Sequence, residues 1–315
     1  MTVDLSIIIV SWNVADLLAA CLDSIAESLS GSSQARPGVE IIVVDSASHD
    51  HTVAMLRERY PHVKLLPQAE NLGFSRCNNI GLDAAAGRYL MLLNPDTEVI
   101  GDALSRMAAY LDENVDVGIV GPHTLNSDGT TQSTRRRFPT LLTGLFESTW
   151  LQRFAPRSLL DNYYMVSEGG DSAILDVDWV QGSALMARRE LYDQIGGLDE
   201  GYVMYSEEMD WCRRAKDAGW RVVYLGTAQI VHHGGKSTQQ VSARSHIHFQ
   251  QSKLRYYRKY HGWLSAQLLR LVLLGNYLWQ LGLEAGKAAL GHKRTLRQER
   301  IKAYWQVLRS GLRVT

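Results

Sequence analysis

The sequence predicts an α/β fold: a Rossmann-like, mostly parallel central sheet with flanking helices, followed by a C-terminal helical extension. Three observations predict it. LSIIIVSW (5–12), VEIIVVD (39–45) and RYLMLL (88–93) are continuous apolar runs, as strands buried on both faces are. Stretches with helical spacing alternate with these runs, the pattern of strand–helix–strand units. From about Ser242 onward the chain reads as helix throughout.

In order along the chain, Asn13 to Ser28 places Leu17, Leu18, Cys21, Leu22 and Ile25 on one helical face. Ser30 to Gly38 is a turn-rich loop. A helix over 51–60, a strand over 63–68 and a helix over 75–86 closed by Gly87 lead to the run at 88–93. The region 120–185 is less regular, with loops and short strands around GPHTLNSDGT and RRRFPT (135–140). DVDWVQGSALMARREL (176–191) reads as a strand leading into a helix, SEEMDWCRRAKDAG (206–219) as a helix with a glycine stop, and WRVVYLG (220–226) as a buried strand. The expected organisation is an α/β domain over 1–240 and a basic amphipathic helical extension over 241–315.

The chain has 315 residues, 45% of them apolar and 21% charged, enough for one large domain with an appendage. Formal charge is zero but unevenly spread. Residues 251–315 hold 13 Lys/Arg and 2 Asp/Glu, a net of +11, so the first 250 carry −11. That asymmetry suggests an acidic body with a basic tail for a polyanionic surface. Cys21, Cys77 and Cys212 are odd in number and widely spaced, which fits a reducing cytosol rather than a disulfide framework. The start MTVDLSIIIV lacks the basic region and cleavage site of a signal peptide, and no stretch of ~18 uncharged apolar residues spans a membrane.

In open parallel sheets, ligands bind beyond the carboxyl ends of the strands. There the sequence places Ser11, Trp12 and Asn13; then Asp45, Ser46 and Asp50; then Asn94, Pro95 and Asp96. The first strand–helix junction has neither GxGxxG nor GxxxxGK[ST], which argues against dinucleotide-binding dehydrogenases and phosphate-loop NTPases. What remains is carboxylate-rich. Asp45 suits a base or ribose, and Asp96 a divalent cation bridging a diphosphate, since Mg²⁺ and Mn²⁺ favour hard oxygen ligands. Bland readings stand beside these: Asp45 or Asp50 as a helix cap, Asp96 and Gly73 as turn residues, and Trp179 as core. Arg135 to Arg137 are a solvated charge run or contacts to an acceptor phosphate or lipid head group. Glu207, Glu208 and Asp210 open a helix. One acid there suits the helix dipole, while three repel, which raises a carboxyl pKa as a general base requires.

SIIIVSWN (6–13), VVDSASHD (43–50), ENLGFSRCNNIG (70–81), LLNPDTEV (92–99), the segment 179–214 and VHHGGKST (231–238) together resemble a family 2 glycosyltransferase of the GT-A fold. The likeness is to the branch containing rhamnosyl- and galactofuranosyltransferases, and it covers residues 5 to 240. It implies a donor site drawn from Ser11, Asn13, Asp45, Ser46, Asn71, Gly73, Arg76 and Asn94. NPD stands where related enzymes carry the metal-binding DxD, so Asn94 replaces the first acid and Asp96 is the expected ligand, joined by His232. The cofactor implied is Mg²⁺ or Mn²⁺. Glu208 occupies the position of the base, shared with Glu207 or Asp210, and Trp179 and Gly182 shape the acceptor site. The implied reaction is inverting transfer from a nucleotide-diphosphate sugar to a saccharide or lipid-linked saccharide in cell-surface polysaccharide synthesis. dTDP-rhamnose is the favoured donor, with UDP-galactofuranose, UDP-hexoses and GDP-mannose open. A non-catalytic nucleotide-sugar-binding protein is the rival from another class.

Residues 261–291 are strongly apolar but broken by Arg270 and Glu284, and flanked by KLRYYRKY (253–260) and HKRTLRQERIK (292–302). This pattern resembles an interfacial helix on an anionic membrane, which places the expected location at the cytoplasmic face of the cell membrane. The alternative is a helical hairpin packed on the catalytic domain or on a second copy in a homo-oligomer. No nucleic-acid recognition motif accompanies the cations.

Overall fold

The computed structural model describes residues 3–30, 38–147, 149–165, 168–234, 242–291 and 293–313. In chain order the first half comprises β1 (Leu5–Ser11), α1 (Ala15–Ser30), β2 (Val39–Asp45), α2 (Thr52–Arg59), β3 (Lys64–Pro67), α3 (Phe74–Ala84), β4 (Tyr89–Leu93), β5 (Thr97–Ile100), α4 (Ala103–Glu113) and β6 (Val117–Leu125). The second half comprises β7 (Arg135–Arg136), α5 (Leu141–Phe146), α6 (Arg157–Tyr163), β8 (Ile174–Val177), β9 (Trp179–Val180), β10 (Ala184–Arg188), α7 (Arg189–Ile195), α8 (Glu207–Asp217), β11 (Arg221–His232), α9 (Ser242–Ala289) and α10 (Arg294–Ser310).

Two compact units result. The first draws on Met1–Phe138, Tyr164–Val203 and Glu207–Ser237. Its central sheet runs β3-β2-β1-β4-β10-β6-β11-β5, with β8 paired to β11. The strands β1 to β4 are parallel, in register Ser11 to Asp45 and Ile9 to Leu93, so their carboxyl ends share one edge. Ile7, Ile8, Ile9, Val43, Val44 and the whole of β4 are buried, which is why these runs carry no polar alternation.

The structure departs from the sequence expectation in three places. Residues 176–191 do not form one strand. The chain breaks at Asp178 and again at 181–183, giving β8, β9 and β10, and β10 inserts antiparallel between β4 and β6. The last strand does not stop at Gly226. It runs to His232 across a register shift between Leu225 and Gln229, switching partners from β8 to β5. Finally, β5, α4 and the start of β6 fill 97–119, where the sequence reading assigned nothing.

The second unit draws on Pro139–Tyr163, Met204–Ser206 and Thr238–Thr315. The helix α9 is broken at Gly262, where φ is 86°. Gly144 lets α5 approach α9: a Cβ there would lie 2.5 Å from the Tyr257 hydroxyl. Lys253 donates to Glu147 at 2.8 Å, and the Asn276 side chain accepts from Trp150 N–H. Glu284 takes two hydrogen bonds from Arg297, tying α9 to α10. Among the described residues no helix is long and apolar enough to cross a membrane.

Candidate active site

The carboxyl edge of β1, β2 and β4 gathers most of the expected residues, all within the first unit. The backbone N–H of Ser46 donates to Ser11 O, which brings the ends of β1 and β2 together. Asp45 does not cap α2. One of its oxygens accepts from Ser48 N–H at 3.0 Å and the other, Oδ1, is buried without a protein partner. Capping falls to Asp50, which accepts from Thr52 N–H and, through its second oxygen, from Ala15 N–H. Partial burial pushes the Asp50 carboxyl up, but the Thr52 hydroxyl, which also donates to it, together with those two bonds holds it below its ordinary value. Asn13 sits at φ 53° and accepts from His49 N–H, so it braces the loop after β2.

The loop before α3 is fixed by Asn71, whose side-chain oxygen accepts from Ser46 Oγ at 3.2 Å and Gly73 N–H at 3.1 Å. Gly73 has φ 83°, and a Cβ there would stand 3.1 Å from Val203 O, so glycine is required twice over. Arg76 is exposed on the first turn of α3. Asn79 ties down Leu198 and Glu200.

Asp96 is buried, and its Oδ1 lies 3.4 Å from His232 Nε2. Gln132 decides what that nitrogen carries. Its amide NH₂ donates to His232 O at 2.8 Å, so its oxygen faces His232 Nδ1 at 3.0 Å and accepts from it. The proton of a neutral imidazole is therefore on Nδ1, and the Nε2 lone pair points at the Asp96 carboxylate. The Asn94 amide lies 3.5 Å away, while Asn94 Oδ1 is buried without a protein partner. A lone pair aimed at a carboxylate is unfavourable unless a proton or a cation lies between them, and a hydrogen bond from the far ring nitrogen is how a metal-binding histidine is commonly oriented. The pair could hold a divalent cation, which would need further ligands beyond these two residues. Among the described residues no group of three or more His, Cys, Asp or Glu is disposed to hold a metal. His233 turns away, bonded to Glu98 and Ser127. Gly234 has φ 75°, whereas Gly235 and the residues after it in VHHGGKST lie outside the described residues.

The three acids of α8 separate in role. Asp210 is fully buried and accepts from Arg214 Nε at 2.9 Å and from the Tyr202 hydroxyl. Arg214 also donates to Ile195 O and Gly197 O, so this pair clamps the chain after α7. Glu207 and Glu208 each keep a buried Oε2 without a protein partner. Burial, reinforced by the Glu208 charge, pushes the Glu207 carboxyl well above its ordinary value. Burial also raises Glu208, opposed by N–H groups including that of Gly182 and by the Arg136 charge. Gly182 N–H faces Glu208 Oε1 at 3.4 Å, and a Cβ on Gly182 would stand 3.3 Å from the Glu208 side chain. The lead-in residues Tyr205 and Ser206 have φ 72° and 67°, a conformation unusual for non-glycine residues and concentrated at functional sites.

Trp179 is buried in β9, and its indole N–H donates to Arg137 O. Arg136 lies over the rings of Trp179 and Tyr164, at 5.6 and 4.5 Å from their centroids. Arg135 and Arg137 pair instead with Asp171 and Glu168.

Two residues that the sequence reading passed over belong here: Gln132 and Ser183. Ser183 O accepts from Asn94 N–H at 2.9 Å, and its hydroxyl is buried without a protein partner. Ser11 Oγ, Asp45 Oδ1, Asn94 Oδ1 and Ser183 Oγ are thus orphaned at the strand ends, and the two glutamate oxygens at the start of α8. Each such group costs about 1–3 kcal/mol when left unsatisfied, so their concentration marks an edge built for a polar ligand.

The comparisons with known proteins agree with this architecture. The model of Glycosyl transferase family 2 matches residues 6–180. The N-acetylglucosaminyl-diphospho-decaprenol L-rhamnosyltransferase of Mycobacterium tuberculosis is 30% identical over 251 residues, 76% of this chain and 80% of its own length. The low-salt glycan biosynthesis hexosyltransferase Agl10 of Haloferax volcanii is 27% identical over 72% of this chain and 66% of its own. Among solved structures, the mannosyltransferase PcManGT from Pyrobaculum calidifontis, in complex with GDP-Man and Mn²⁺, superposes with a TM-score of 0.56 at 18% identity, covering 98% of this chain and 84% of that one. S. aureus TarS 1-349 gives a TM-score of 0.52 at 17% identity over 98% and 90% of the two chains. The fold is that of GT-A glycosyltransferases, and a family match spanning more than half the chain, on the same strands that carry the orphaned edge, makes this chain a member of glycosyl transferase family 2.

Proposed function

We propose that this glycosyltransferase inverts the anomeric centre as it moves a sugar from a nucleotide-diphosphate donor to an acceptor hydroxyl, with Glu208 as base. One chain of contacts carries the reading. Asn94, in the NPD motif, donates through its backbone to Ser183 O, and the preceding residue, Gly182, donates to Glu208. The metal motif and the raised carboxyl are therefore held by neighbouring atoms of one short segment.

Asp45 Oδ1 and Ser11 Oγ offer hydrogen bonds to the nucleoside, and Asn71 and Gly73 hold the loop beside it. Arg76 offers its charge to the diphosphate. Asp96 and His232 would hold Mg²⁺ or Mn²⁺, which neutralises charge on the departing diphosphate when bound. Glu208 accepts the proton of the acceptor hydroxyl as that oxygen bonds to the anomeric carbon and the carbon–diphosphate bond breaks. Its raised value brings it nearer to neutral pH, where a base is most effective. Asp210 positions α8 through Arg214, and burial, which raises the Glu207 carboxyl, disfavours a second charge beside Glu208. Trp179 and Arg136 flank the acceptor.

The donor assigned here is dTDP-rhamnose and the acceptor a lipid-linked saccharide. The support is the rhamnosyltransferase relative, whose own acceptor is a saccharide on diphospho-decaprenol. A lipid-linked acceptor also accounts for the exposed apolar residues of α9, which we assign to an anionic membrane surface at its cytoplasmic face. Thermal stabilisation by a panel of nucleotide sugars, with and without Mn²⁺, followed by transfer to a synthetic N-acetylglucosaminyl-diphosphate lipid, tests this. Metal-dependent stabilisation and transfer with dTDP-rhamnose are expected. Transfer from a UDP- or GDP-sugar alone would overturn the donor assignment.

A further inference from the structure

We infer that residues 195–203 form a strut that fixes α8, the helix of the base, to the loop before α3, with Asn79 and Tyr202 as positioning residues for Glu208. The inference deepens the mechanism proposed above and rests on its reading of Glu208 as the base.

The backbone carbonyls of this segment are divided between two helices. Those of Ile195, Gly196 and Gly197 accept from α8, through Arg214 Nη1 at 2.8 Å, Trp211 Nε1 at 2.9 Å and Arg214 Nη2 at 2.7 Å. Those of Leu198, Tyr202 and Val203 accept from α3, through Asn79 Nδ2 at 2.9 Å, the Ser75 hydroxyl and Phe74 N–H at 2.9 Å. Asn79 also accepts from Leu198 N–H at 2.8 Å, so its amide exchanges two hydrogen bonds with one residue, as a neighbouring strand does. On each helix the gripping side chains stand one turn apart: Ser75 and Asn79 on α3, Asp210 and Arg214 on α8. Tyr202 joins the two grips. Its carbonyl is held by Ser75, and its hydroxyl donates to Asp210 Oδ1 at 3.4 Å. Tyr202, Asp210 and Trp211 are fully buried, and a Cβ on Gly197 would overlap Asn79 Oδ1.

A connection between elements ordinarily runs over the surface with its carbonyls in water. Here the carbonyls are satisfied by side chains of two helices that each carry part of the site. The helix α3 starts directly after Gly73, in the loop that Asn71 fixes, and Glu208 stands on the first turn of α8 with Asp210. The strut therefore sets where the base stands relative to that loop. Rate depends steeply on the placement of a reacting group. Loosening the strut displaces Glu208 and lowers turnover, while Asn71 and Gly73 keep their own hydrogen bond and donor affinity holds.

The experiment is a mutant cycle on the full chain, read as kcat and donor KM for transfer from the nucleotide sugar that the panel above identifies. Tyr202→Phe removes only the hydroxyl that reaches Asp210, and Asn79→Ala removes the grip of α3 on Leu198. Each is made in the parent and in Glu208→Gln. Tyr60→Phe, which deletes a tyrosine hydroxyl bonded to Ala19 O and Asp23 outside the strut, is the control. Thermal melting confirms that every variant is folded at the assay temperature. In the parent, Tyr202→Phe and Asn79→Ala are expected to lower kcat by about tenfold with donor KM unchanged, and Tyr60→Phe to leave both in place. In Glu208→Gln the same two changes are expected to cost nothing further, because a residue that acts through the base has no effect once the base is gone. An unchanged kcat in folded Tyr202→Phe and Asn79→Ala would overturn the strut, as would an equal loss in the Glu208→Gln background or in the control. Parental turnover by Glu208→Gln alone would overturn the base reading itself.

Discussion

The Nε2 of His232 lies 3.4 Å from the Asp96 carboxylate, and Gln132 on the far side of the ring sets the tautomer that aims its lone pair there. The two residues are 136 positions apart in the chain and meet because β11 continues to His232, paired with the start of β5. Asn94 stands where the related motif carries a first acid, and on the proposed reading the histidine would supply the second ligand.

Gln132→Leu is expected to weaken Mn²⁺ binding about 10- to 100-fold while leaving the melting curve nearly unchanged, because it removes only the group that orients His232. Calorimetric titration of Mn²⁺ in the presence of donor measures it. Unaltered affinity would mean that His232 needs no orientation or is no ligand.

Asn94→Asp restores a second carboxylate beside Asp96. It should tighten Mn²⁺ binding, since hard cations gain from each added anionic oxygen. Asp96→Asn should do the opposite and abolish metal-dependent donor binding. If both variants titrate like the parent, the cation sits elsewhere.

Gly182→Ala pushes a methyl group to 3.3 Å from the Glu208 side chain. The Glu208 side chain must shift by a few tenths of an ångström; since misplacement of about 1 Å costs about 10²-fold in rate, a smaller loss is expected if Glu208 is the base. Steady-state kinetics should show the loss in kcat, with the donor KM little changed.

Glu207→Gln tests the buried carboxyl. A folded-state value raised above the unfolded one gives stability that is fully present below the ordinary carboxyl value and lost as pH rises through the raised value. The parent should therefore melt progressively lower as pH climbs from acid toward neutral and beyond. The amide, which never ionises, should flatten that slope and melt roughly 2–4 °C higher at neutral pH, about the shift produced by 1 kcal/mol. Parallel melting-versus-pH curves for parent and variant would show that folding does not raise the Glu207 carboxyl.

The parallel half of the fold is legible in the sequence because β1, β2 and β4 are buried on both faces, and unbroken apolar runs have few other readings. The antiparallel half is not. ALMAR in β10 is equally buried and carries no mark of its direction, and Gly226, Thr227 and Gln229 interrupt β11 where its register shifts. In the site, Asp96 and Glu208 stand out because they end or begin elements with motif spacing. Gln132 does not, since a loop residue joined to His232 100 positions later by two hydrogen bonds has no periodicity to betray it. Asp210 shows the converse: composition groups it with its neighbours, whereas Arg214 claims it for the scaffold.

The measurement that bears most directly on the central claim is turnover and donor binding by Glu208→Gln. The amide preserves shape and hydrogen bonding to Gly182 but accepts no proton. Loss of transfer by about 10²- to 10⁴-fold is expected, the range attributed to general-base catalysis, together with unchanged Mn²⁺-dependent donor affinity. Transfer near the parental rate, rising with pH as in the parent, would contradict the account and remove Glu208 from the chemistry.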